Sequence, residues 1–340
     1  MDDRNQIEVL LGTDGRGMFM AHITIASLLN AAKGDRKIRI NLMIDGFDEA
    51  MKEAIRGEVA KHPFASVRFI EVAEVLGPYI ETLKSCMGGC AIGSGALMTW
   101  GRCFCDVLLP DVTGRLVYLD TDTYVADDIA KLADAELDGK VFGAVPESTP
   151  TSKESWLHRL GLADKCAFYF CAGVMVFDMA EYRRLGGSKK LMEVVEANRD
   201  RILLADQDAL NYFAGGNVKS LHPRWNYNDG WVEKQFRFRL DEKDYRGRKP
   251  SEMMEAIFAP GVIHYQNKNK PWRFNHRPEG RRYERLMRAT GYLKGRYLPG
   301  SGFGKELVRS FFDAYHWVLV QVAKLRYAAW SRKAAKETDK

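Results

Sequence analysis

The sequence lacks long apolar runs and a recognisable export segment. No stretch of about 18 uncharged apolar residues occurs in the 340-residue chain, so we expect no transmembrane helix. The N-terminus, MDDRNQIEVLLGTDG, has no basic segment followed by an apolar one, so we expect no signal peptide. Both absences favour a cytoplasmic protein.

Cysteine is scarce and irregularly spaced. The chain contains six cysteines, which are Cys86, Cys90, Cys103, Cys105, Cys166 and Cys171. None of them form a C-x-x-C pair, and the spacing of paired zinc ligands is absent. We therefore expect free thiols in a reducing compartment and no structural zinc.

The charge of the chain is only mildly one-sided. Its 51 Lys and Arg residues face 45 Asp and Glu residues, and the formal net charge is +6. That balance fits an anionic partner such as a nucleotide sugar or a lipid surface, and we predict no nucleic-acid partner. The length suits one large α/β domain with an appendage, or two domains.

Strand and helix patterns alternate in the first half of the chain. We predict strands at residues 7–11, 38–44 and 67–72, and helices at residues 19–32 and 49–60. Such alternation is typical of a largely parallel sheet covered on both faces. In open sheets of this kind, ligands bind beyond the carboxyl ends of the strands.

Further along the chain we predict a strand over residues 172–177 and one helix over residues 181–198. Residues 205–213 should begin another short helix, and we expect Asp206 to cap it.

Two carboxylates follow a short apolar stretch that is typical of a buried strand. The stretch runs from Leu116 to Leu119, and Asp120 and Asp122 come directly after it. Like Asp14 at the end of the first strand, they fall where ligands bind in such sheets. Carboxylate oxygens suit Mg²⁺ or Mn²⁺, so the pair could hold a divalent cation that neutralises a diphosphate. A turn or a solvated strand end is the alternative.

Several segments, in this order, resemble glycosyltransferase family 8, which includes bacterial lipooligosaccharide galactosyltransferases and glycogenin. The most specific are L-D-T-D at residues 119–122, A-D-Q-D-A-L-N at residues 205–211, L-H-P-R-W-N at residues 221–226 and H-Y-x-x-x-x-K-P-W at residues 264–272. The resemblance covers roughly residues 6 to 275. It implies an α/β fold of the GT-A type, which binds nucleotide sugars on a central, mostly parallel mixed sheet.

The resemblance also implies a metal and diphosphate site. Asp120, Asp122 and His264 would bind Mn²⁺ (or Mg²⁺), since imidazole is a good third ligand for Mn²⁺. Lys270 would place its ammonium on the diphosphate and stabilise the charge of the leaving group. The alternatives are a hydrogen-bonded core histidine and a solvated surface lysine. Asn267 stands where the family has glycine.

Other residues would bind the donor. By the same resemblance, Asp206 would bind sugar hydroxyls, and Gln207 would stabilise positive charge at the anomeric carbon, because glutamine is a poor nucleophile. The rest of the predicted nucleotide-sugar set is Thr13, Asp14, Arg102 and Thr121. Asp14 would accept from uracil or ribose, and Arg102 would contact the sugar or diphosphate. Structural ion pairs are the competing role for Asp14 and Arg102, as helix capping is for Asp206.

The sequence departs from the family pattern at two further places. Cys171 stands where the family commonly has an asparagine beside the sugar, so donor or acceptor choice could differ. Glu147 is the candidate sugar-binding acid in a turn where the family has aspartate.

The last part of the chain differs in character. We divide the chain into a catalytic domain, residues 1–280, and a basic C-terminal extension, residues 281–340. Apolar residues spaced by three or four over residues 305–340 predict an amphipathic helix. Its basic and aromatic residues suggest an anionic membrane surface, at the inner face of the cytoplasmic membrane. Packing on the catalytic domain or on a second subunit is the alternative.

The resemblance therefore implies a retaining, Mn²⁺-dependent hexosyltransferase. It would transfer galactose or glucose from UDP-galactose or UDP-glucose to a cell-surface saccharide, such as a lipopolysaccharide core or lipid-linked glycan. One alternative is a haloacid-dehalogenase-like phosphatase, because residues 120–123 also fit D-x-D-x-T. That class carries the motif on its opening strand. The other alternative is a catalytically inactive, membrane-associated UDP-sugar-binding protein.

Overall fold

The computed structural model describes residues 5–85, 94–147, 153–228, 231–242, 248–266, 270–273, 279–295, 298 and 302–338. The chain forms two compact units. The first comprises Met1–Thr121 and Asp128–Leu221, and the second comprises Asp122–Asp127 and His222–Lys340. Among the described residues, no helix is both long and apolar enough to cross a bilayer.

The described residues contain ten strands. They are β1 (Gln6–Asp14), β2 (Lys37–Asp45), β3 (Ala65–Glu71), β4 (Arg115–Leu119), β5 (Thr123–Val125), β6 (Phe142–Pro146), β7 (Phe170–Asp178), β8 (Val218–Ser220), β9 (Tyr227–Asn228) and β10 (Val262–His264). The first unit holds a seven-stranded sheet in the order β3-β2-β1-β4-β7-β6-β8. Only β7 runs antiparallel to its neighbours, β4 and β6. The predicted mostly parallel mixed sheet is confirmed.

Fifteen α-helices accompany these strands in the described part of the chain. They are α1 (Met18–Ala31), α2 (Glu49–Val59), α3 (Ala73–Leu76), α4 (Ile80–Ser85), α5 (Ser94–Gly101), α6 (Cys105–Leu108), α7 (Ala130–Ala133), α8 (Lys153–Leu160), α9 (Met179–Arg184), α10 (Gly187–Ala197), α11 (Ala205–Ala214), α12 (Trp231–Phe238), α13 (Pro250–Phe258), α14 (Gly280–Ala289) and α15 (Phe303–Thr338). Short 3-10 helices cover Gly15–Gly17, Gly77–Tyr79, Arg102–Phe104 and Pro223–Asn226.

The alternating elements of the first half form as predicted, from β1 to β3. Local signals explain their bounds. The side chain of Asp48 accepts a hydrogen bond from the backbone nitrogen of Met51 at 2.8 Å, so it caps the start of α2. The central residues of β1 and β2 are buried. Helices cover both faces of a parallel sheet, so strands of this kind are rich in Val, Leu and Ile.

The single helix predicted over residues 181–198 is wrong. The chain forms two helices, α9 and α10, and breaks between them at Gly186 and Gly187, whose φ angles are 100° and 54°. Positive φ angles are incompatible with a right-handed helix and favour glycine. Space also selects glycine, since a Cβ atom on Gly187 would lie 2.1 Å from Oδ2 of Asp106.

The predicted capping role of Asp206 is also wrong. Leu204 occupies the N-cap position of α11 and makes no side-chain cap. Asp208 instead accepts hydrogen bonds from the backbone nitrogens of Leu203 and Leu204, at 2.8 and 2.7 Å. The carboxylate of Asp208 is therefore the one that ties down the start of this helix, and that of Asp206 is free to face another partner.

The second unit contains a three-stranded sheet in the order β5-β10-β9, in which β10 runs antiparallel to β5 and parallel to β9. The predicted C-terminal helix is present as α15. One face of α15 packs within this unit, because Arg309, His316 and Ala323 are all buried. Arg309 donates to Glu284 of α14 through its Nη1 atom at 2.6 Å.

Candidate functional site

Arg102 organises a buried polar cluster in the first unit. Its Nη2 atom donates to Oδ1 of Asp120 at 2.8 Å, and its Nε atom lies 3.0 Å from Oδ2 of Asp206. The guanidinium centre is 4.0 Å from the centre of the Tyr118 ring, and the Tyr118 hydroxyl donates to Asp120 at 2.9 Å. One arginine thus binds two of the predicted site carboxylates, as the structural-pairing alternative requires.

The electrostatics of this cluster follow from burial. Burial raises the pKa of Asp206 to about 7, against the influence of Arg102 and with the support of Asp120. Burial alone would lower the pKa of Arg102, but the carboxylates of Asp120 and Asp206 outweigh it and hold that pKa above its usual range. Burial likewise raises the pKa of Tyr118. Arg102 therefore stays charged, whereas Asp206 can change its protonation state near neutral pH.

Gln207 is held in one orientation at the start of α11. The backbone nitrogen of Ala172 donates to its Oε1 atom at 3.0 Å, and its Nε2 atom donates to the Tyr169 hydroxyl at 3.2 Å. Tyr169 in turn donates to Asp208 at 2.8 Å, and Arg159 donates to the same carboxylate at 2.8 Å. Asp208 is fully buried, so it is an anchor for this segment and not a surface charge.

The other residues of the first unit that we predicted to bind the sugar nucleotide contact residues within the same unit. Asp14 ends β1 and accepts from the backbone nitrogen of Gly17 at 2.9 Å and from Arg16 at 2.8 Å. Thr13 is buried, and a Cβ atom on Gly17 would lie 2.3 Å from its Oγ1 atom, so glycine is needed there. The carbonyl oxygen of Thr121 accepts from the Thr24 hydroxyl at 2.9 Å.

The two residues at which the sequence departs from the family pattern are also in this unit. Cys171 is buried on β7, between Phe170 and Ala172. Glu147 follows β6, and its backbone nitrogen donates to the carbonyl oxygen of Tyr169 at 2.8 Å. Asn267 lies outside the described residues, as do Cys86 and Cys90, and the other four cysteines are in no disulfide.

Asp122, His264 and Lys270 are in contact with one another through Asp122 in the second unit. Oδ1 of Asp122 lies 3.2 Å from Nε2 of His264, and Nζ of Lys270 donates to Oδ2 of Asp122 at 2.5 Å. The carbonyl oxygen of Tyr265 also accepts from Lys270, at 2.8 Å. Burial acts to raise the pKa of Asp122, but His264 and Lys270 outweigh it and hold that pKa well below its usual range. Asp122 is therefore ionised at neutral pH.

The donor chemistry of the predicted metal ligands fits a divalent cation. Within the second unit, Asp122 and His264 are in contact, and Asp120 is the third predicted ligand. Two carboxylates and one imidazole suit Mn²⁺ and leave coordination positions for other oxygen ligands. Asp120 precedes Asp122 by two positions in the chain, so the backbone itself ties the two carboxylates together.

The sequence did not indicate the residues that hydrogen-bond to the predicted metal ligands and to the predicted donor-binding residues. Tyr118, Tyr169 and Asn226 each bond to a predicted site residue, and all three are buried. In the sequence, Tyr118 belongs to the apolar stretch of a buried strand, and nothing distinguishes it there from the core residues beside it. Asn226 ends the L-H-P-R-W-N segment, which was the available signal for it.

The model of the family described as Glycosyl transferase family 8 matches residues 9–276. The match includes every predicted metal, diphosphate and donor residue.

Curated relatives are similar at low identity. General stress protein A of Bacillus subtilis is 27% identical over 173 residues, which is 50% of this chain and 57% of that protein. A protein of Arabidopsis thaliana named probable galacturonosyltransferase-like 2 is 27% identical over 236 residues, or 63% of this chain and 62% of its own. The chain therefore spans less than two thirds of the length of these relatives.

Solved structures share the fold. The galactosyltransferase LgtC, in complex with donor and acceptor sugar analogues, matches with a TM-score of 0.68 at 21% identity, over 86% of this chain and 98% of that one. The bifunctional glycosyltransferase WbbM, in its apo form, matches with a TM-score of 0.65 at 20% identity, over 86% of this chain and 50% of that one. The predicted GT-A type fold is confirmed, and the family match establishes that the chain belongs to glycosyl transferase family 8.

Proposed function

We propose that the chain is a retaining hexosyltransferase that transfers galactose or glucose from a UDP-sugar to a saccharide acceptor. The observation that carries the proposal is the contact of Asp122 with both His264 and Lys270, within the range that the family model matches. An ionised carboxylate, an imidazole and an ammonium group together suit a metal-bound diphosphate. The acceptor we propose is a cell-surface saccharide, such as a lipopolysaccharide core or a lipid-linked glycan.

We assign Asp120, Asp122 and His264 as the residues that would hold Mn²⁺ or Mg²⁺. When bound, the cation would neutralise the charge of the donor diphosphate. Lys270 would add a second positive charge on the departing UDP, where stabilisation of developing charge lowers the barrier. This role is compatible with its contact with Asp122, because an ammonium group has three hydrogens to donate.

Asp206 and Gln207 would act on the donor sugar. Oδ2 of Asp206 lies 3.0 Å from Nε of Arg102, but that N–H group donates to the carbonyl oxygen of Thr99, so the buried Oδ2 accepts no hydrogen bond from the described residues. A buried carboxylate oxygen without a donor is costly, so a sugar hydroxyl would satisfy it. Gln207 is fixed by Ala172 and Tyr169, and we assign its amide to stabilise positive charge at the anomeric carbon. Arg102 would keep Asp206 in place.

Slow donor hydrolysis tests this function without an acceptor. UDP-galactose, UDP-glucose and UDP-galacturonic acid would be incubated with the chain and Mn²⁺, and released UDP would be measured. UDP-galacturonic acid is included because the Arabidopsis relative is named as galacturonosyltransferase-like. We expect release from one or more UDP-hexoses, and none in EDTA. The absence of release with every donor, in protein that binds UDP, would overturn the proposed catalysis.

A catalytically inactive UDP-sugar-binding protein is the second candidate. The buried Cys171 favours it, because cysteine replaces the asparagine that the family commonly has beside the sugar. Binding of UDP-sugar without hydrolysis would identify this candidate. The phosphatase alternative loses its basis, since the D-x-D motif follows the fourth strand and not the first.

We further propose that residues 281–340 form an extension that binds an anionic membrane through α15, at the inner face of the cytoplasmic membrane. Large apolar side chains of α15 are exposed at helical spacing, and they include Phe303, Leu307, Phe311, Tyr315, Trp317, Val318, Val322 and Leu325. The exposed fractions of Phe311 and Leu325 are 68% and 72%. Apolar area of this extent on one helix face is typical of an interaction surface.

The charges of α15 favour a lipid surface as the partner. Within residues 303–333, the exposed charged side chains are Lys305, Lys324, Arg332 and Lys333. The two acids of that range, Glu306 and Asp313, are only partly exposed and pair with Arg281. The exposed face of the helix is therefore apolar and cationic. Each cation near an anionic surface contributes on the order of 1 kcal/mol.

A further inference from the structure

Asn226 contacts the proposed metal ligand His264 on the side away from Asp122. Its Oδ1 atom lies 2.9 Å from Nδ1 of His264, and both side chains are buried. The other ring nitrogen, Nε2, is the one that lies 3.2 Å from Asp122. The two nitrogens of the imidazole thus have different neighbours, an amide and a carboxylate.

Strand pairing and tight packing hold Asn226 in this place. It ends the 3-10 helix Pro223–Asn226 and immediately precedes β9, which pairs in parallel with β10. In that register Tyr227 is opposite Ile263, and Asn228 is opposite His264. Gly261 packs against the preceding Trp225 so closely that a Cβ atom on it would lie 2.6 Å from the indole ring. The position of Asn226 is therefore fixed by backbone structure on both strands.

The chemistry of the amide defines what Asn226 can do to the imidazole. An amide oxygen accepts and does not donate, so Nδ1 of His264 must carry the hydrogen of this contact. In a neutral imidazole, a hydrogen on Nδ1 leaves the lone pair on Nε2. By the same rule the ionised carboxylate of Asp122 can only accept from Nε2, so a cation that binds there would take the place of the Nε2 hydrogen and use the lone pair of that nitrogen. Histidine ligands in metal sites usually donate their other N–H group to such an acceptor.

A second amide is near the same nitrogen but is a weaker partner. Nε2 of Gln266 lies 3.4 Å from Nδ1 of His264, half an ångström farther than Oδ1 of Asn226. The oxygen of Gln266 accepts from Nδ2 of Asn228 at 2.9 Å, so that amide is turned toward Asn228. Of these two amides, Asn226 is accordingly the one that accepts from Nδ1 of His264.

We propose that Asn226 is a positioning residue for the metal site. It accepts from Nδ1 of His264 and thereby presents Nε2, unprotonated and correctly oriented, to the cation. The inference rests on the proposed metal-binding function and goes beyond it, because it assigns a role to the last residue of the L-H-P-R-W-N segment. Loss of such a supporting hydrogen bond typically lowers metal affinity by about 10- to 100-fold.

The test is Mn²⁺ affinity, measured without nucleotide from the loss of the electron paramagnetic resonance signal of free Mn²⁺. We compare the wild type with Asn226→Leu, Asn226→Asp and Asn228→Leu. Asn226→Leu removes the acceptor but keeps the size, and Asn226→Asp keeps an acceptor oxygen. Asn228→Leu is the matched control, because it removes a similarly buried amide whose Nδ2 atom donates to Gln266. Thermal unfolding of each metal-free protein checks that it is folded.

We expect Asn226→Leu to lose about 10-fold or more in Mn²⁺ affinity, and Asn226→Asp to bind at least as well as the wild type. Asn228→Leu should stay close to the wild type. Wild-type affinity in a folded Asn226→Leu protein would overturn the positioning role alone. So would equal losses in all three variants, since these would report packing. A wild type that binds no Mn²⁺ would instead overturn the metal site itself.

Discussion

Arg102 and Asp206 form an ion pair that is almost completely shielded from water. Nε of Arg102 lies 3.0 Å from Oδ2 of Asp206, and each residue is 4% exposed. The pair is incomplete, because Arg102 also binds Asp120 and its Nε atom donates to the carbonyl oxygen of Thr99. Asp120 and Asp206 thus share one guanidinium. Burial disfavours the charged form of Asp206 more than Arg102 favours it, so the pKa of Asp206 rises to about 7.

The first prediction concerns stability and pH. Because the pKa of Asp206 is raised from 3.8 to about 7, the folded chain keeps this proton after the unfolded chain has lost it. The contribution of Asp206 to stability is therefore fully present below about pH 4 and is lost as the pH rises to about 7. The loss is up to about 1.4 kcal/mol per pH unit for one proton.

Urea unfolding of metal-free wild type and Asp206→Asn, at pH 5 and pH 8, measures this contribution. The variant cannot titrate at this position, so the wild type should lose stability relative to it between the two pH values. A difference between the two proteins that is the same at pH 5 and pH 8 would contradict the raised pKa.

This cluster also shows how far the sequence could predict the site. The acids after β4 were recognisable because a buried strand rarely ends in two carboxylates, and the structure places them there. The capping role assigned to Asp206 failed for a tertiary reason. An acid in the first turn of a helix is often a cap, but the buried guanidinium of Arg102 binds Asp206, and Asp208 satisfies the backbone nitrogens instead. Pairing between residues distant in sequence leaves no local pattern.

The break between α9 and α10 was not predicted for a different reason, which is local and not tertiary. Gly186 and Gly187 are adjacent glycines, which are a recognisable helix stop, but the apolar spacing continues across them and favoured one helix. The strands and helices of the first half were predictable because each has its own period and its own end signals. The buried partners, such as Tyr118 and Asn226, required the folded arrangement.

The second prediction concerns the metal ligands. Asp122→Ala and His264→Ala should each abolish Mn²⁺-dependent release of UDP from the donor, because each removes one ligand from a site with few others. EDTA should abolish the activity of the wild type, and added Mn²⁺ should restore it. Full activity of the wild type in EDTA would exclude a required metal.

The third prediction concerns Lys270. Lys270→Ala should lower kcat more than it raises KM for the donor, because the charge of Lys270 acts mainly on the departing UDP. Lys268→Ala is a control, because Lys268 is outside the fixed positions of the H-Y-x-x-x-x-K-P-W motif. Steady-state kinetics of both variants give the result. A change confined to KM in Lys270→Ala would mean that Lys270 only helps to hold the nucleotide.

The fourth prediction concerns the anchor of α15. Glu284 accepts from the buried Arg309 at 2.6 Å and from Arg288 at 2.9 Å. Glu284→Ala would remove the nearer of the two carboxylates beside the buried guanidinium of Arg309, because Oε1 of Glu306 lies 3.5 Å from its Nη1 atom. Loss of one partner of a buried ion pair costs at most about 3–5 kcal/mol. Glu193→Ala is the control, since Glu193 pairs with Lys190 on the surface, where an ion pair contributes about 0–1 kcal/mol. Equal unfolding free energies for the two variants would contradict the anchor.

The last prediction concerns the exposed face of α15. Truncation before α15 would remove Arg309 as well as the apolar face, so point substitutions separate membrane binding from folding. Phe311→Ser with Leu325→Ser removes two large exposed side chains and adds no charge. Burial of each such side chain is worth about 1.5–3 kcal/mol, so binding to phosphatidylserine vesicles should weaken on the order of 100-fold or more.

Donor hydrolysis and thermal unfolding of this double variant should match the wild type, because neither side chain packs in the core. The matched control is Ser310→Ala with Ala314→Ser, which alters exposed positions of the same helix without changing its large apolar side chains. Light scattering tests the competing partner, a second copy of the chain. If the wild type is a dimer that the double variant converts to a monomer, while neither binds vesicles, the face is a subunit interface and the membrane proposal fails.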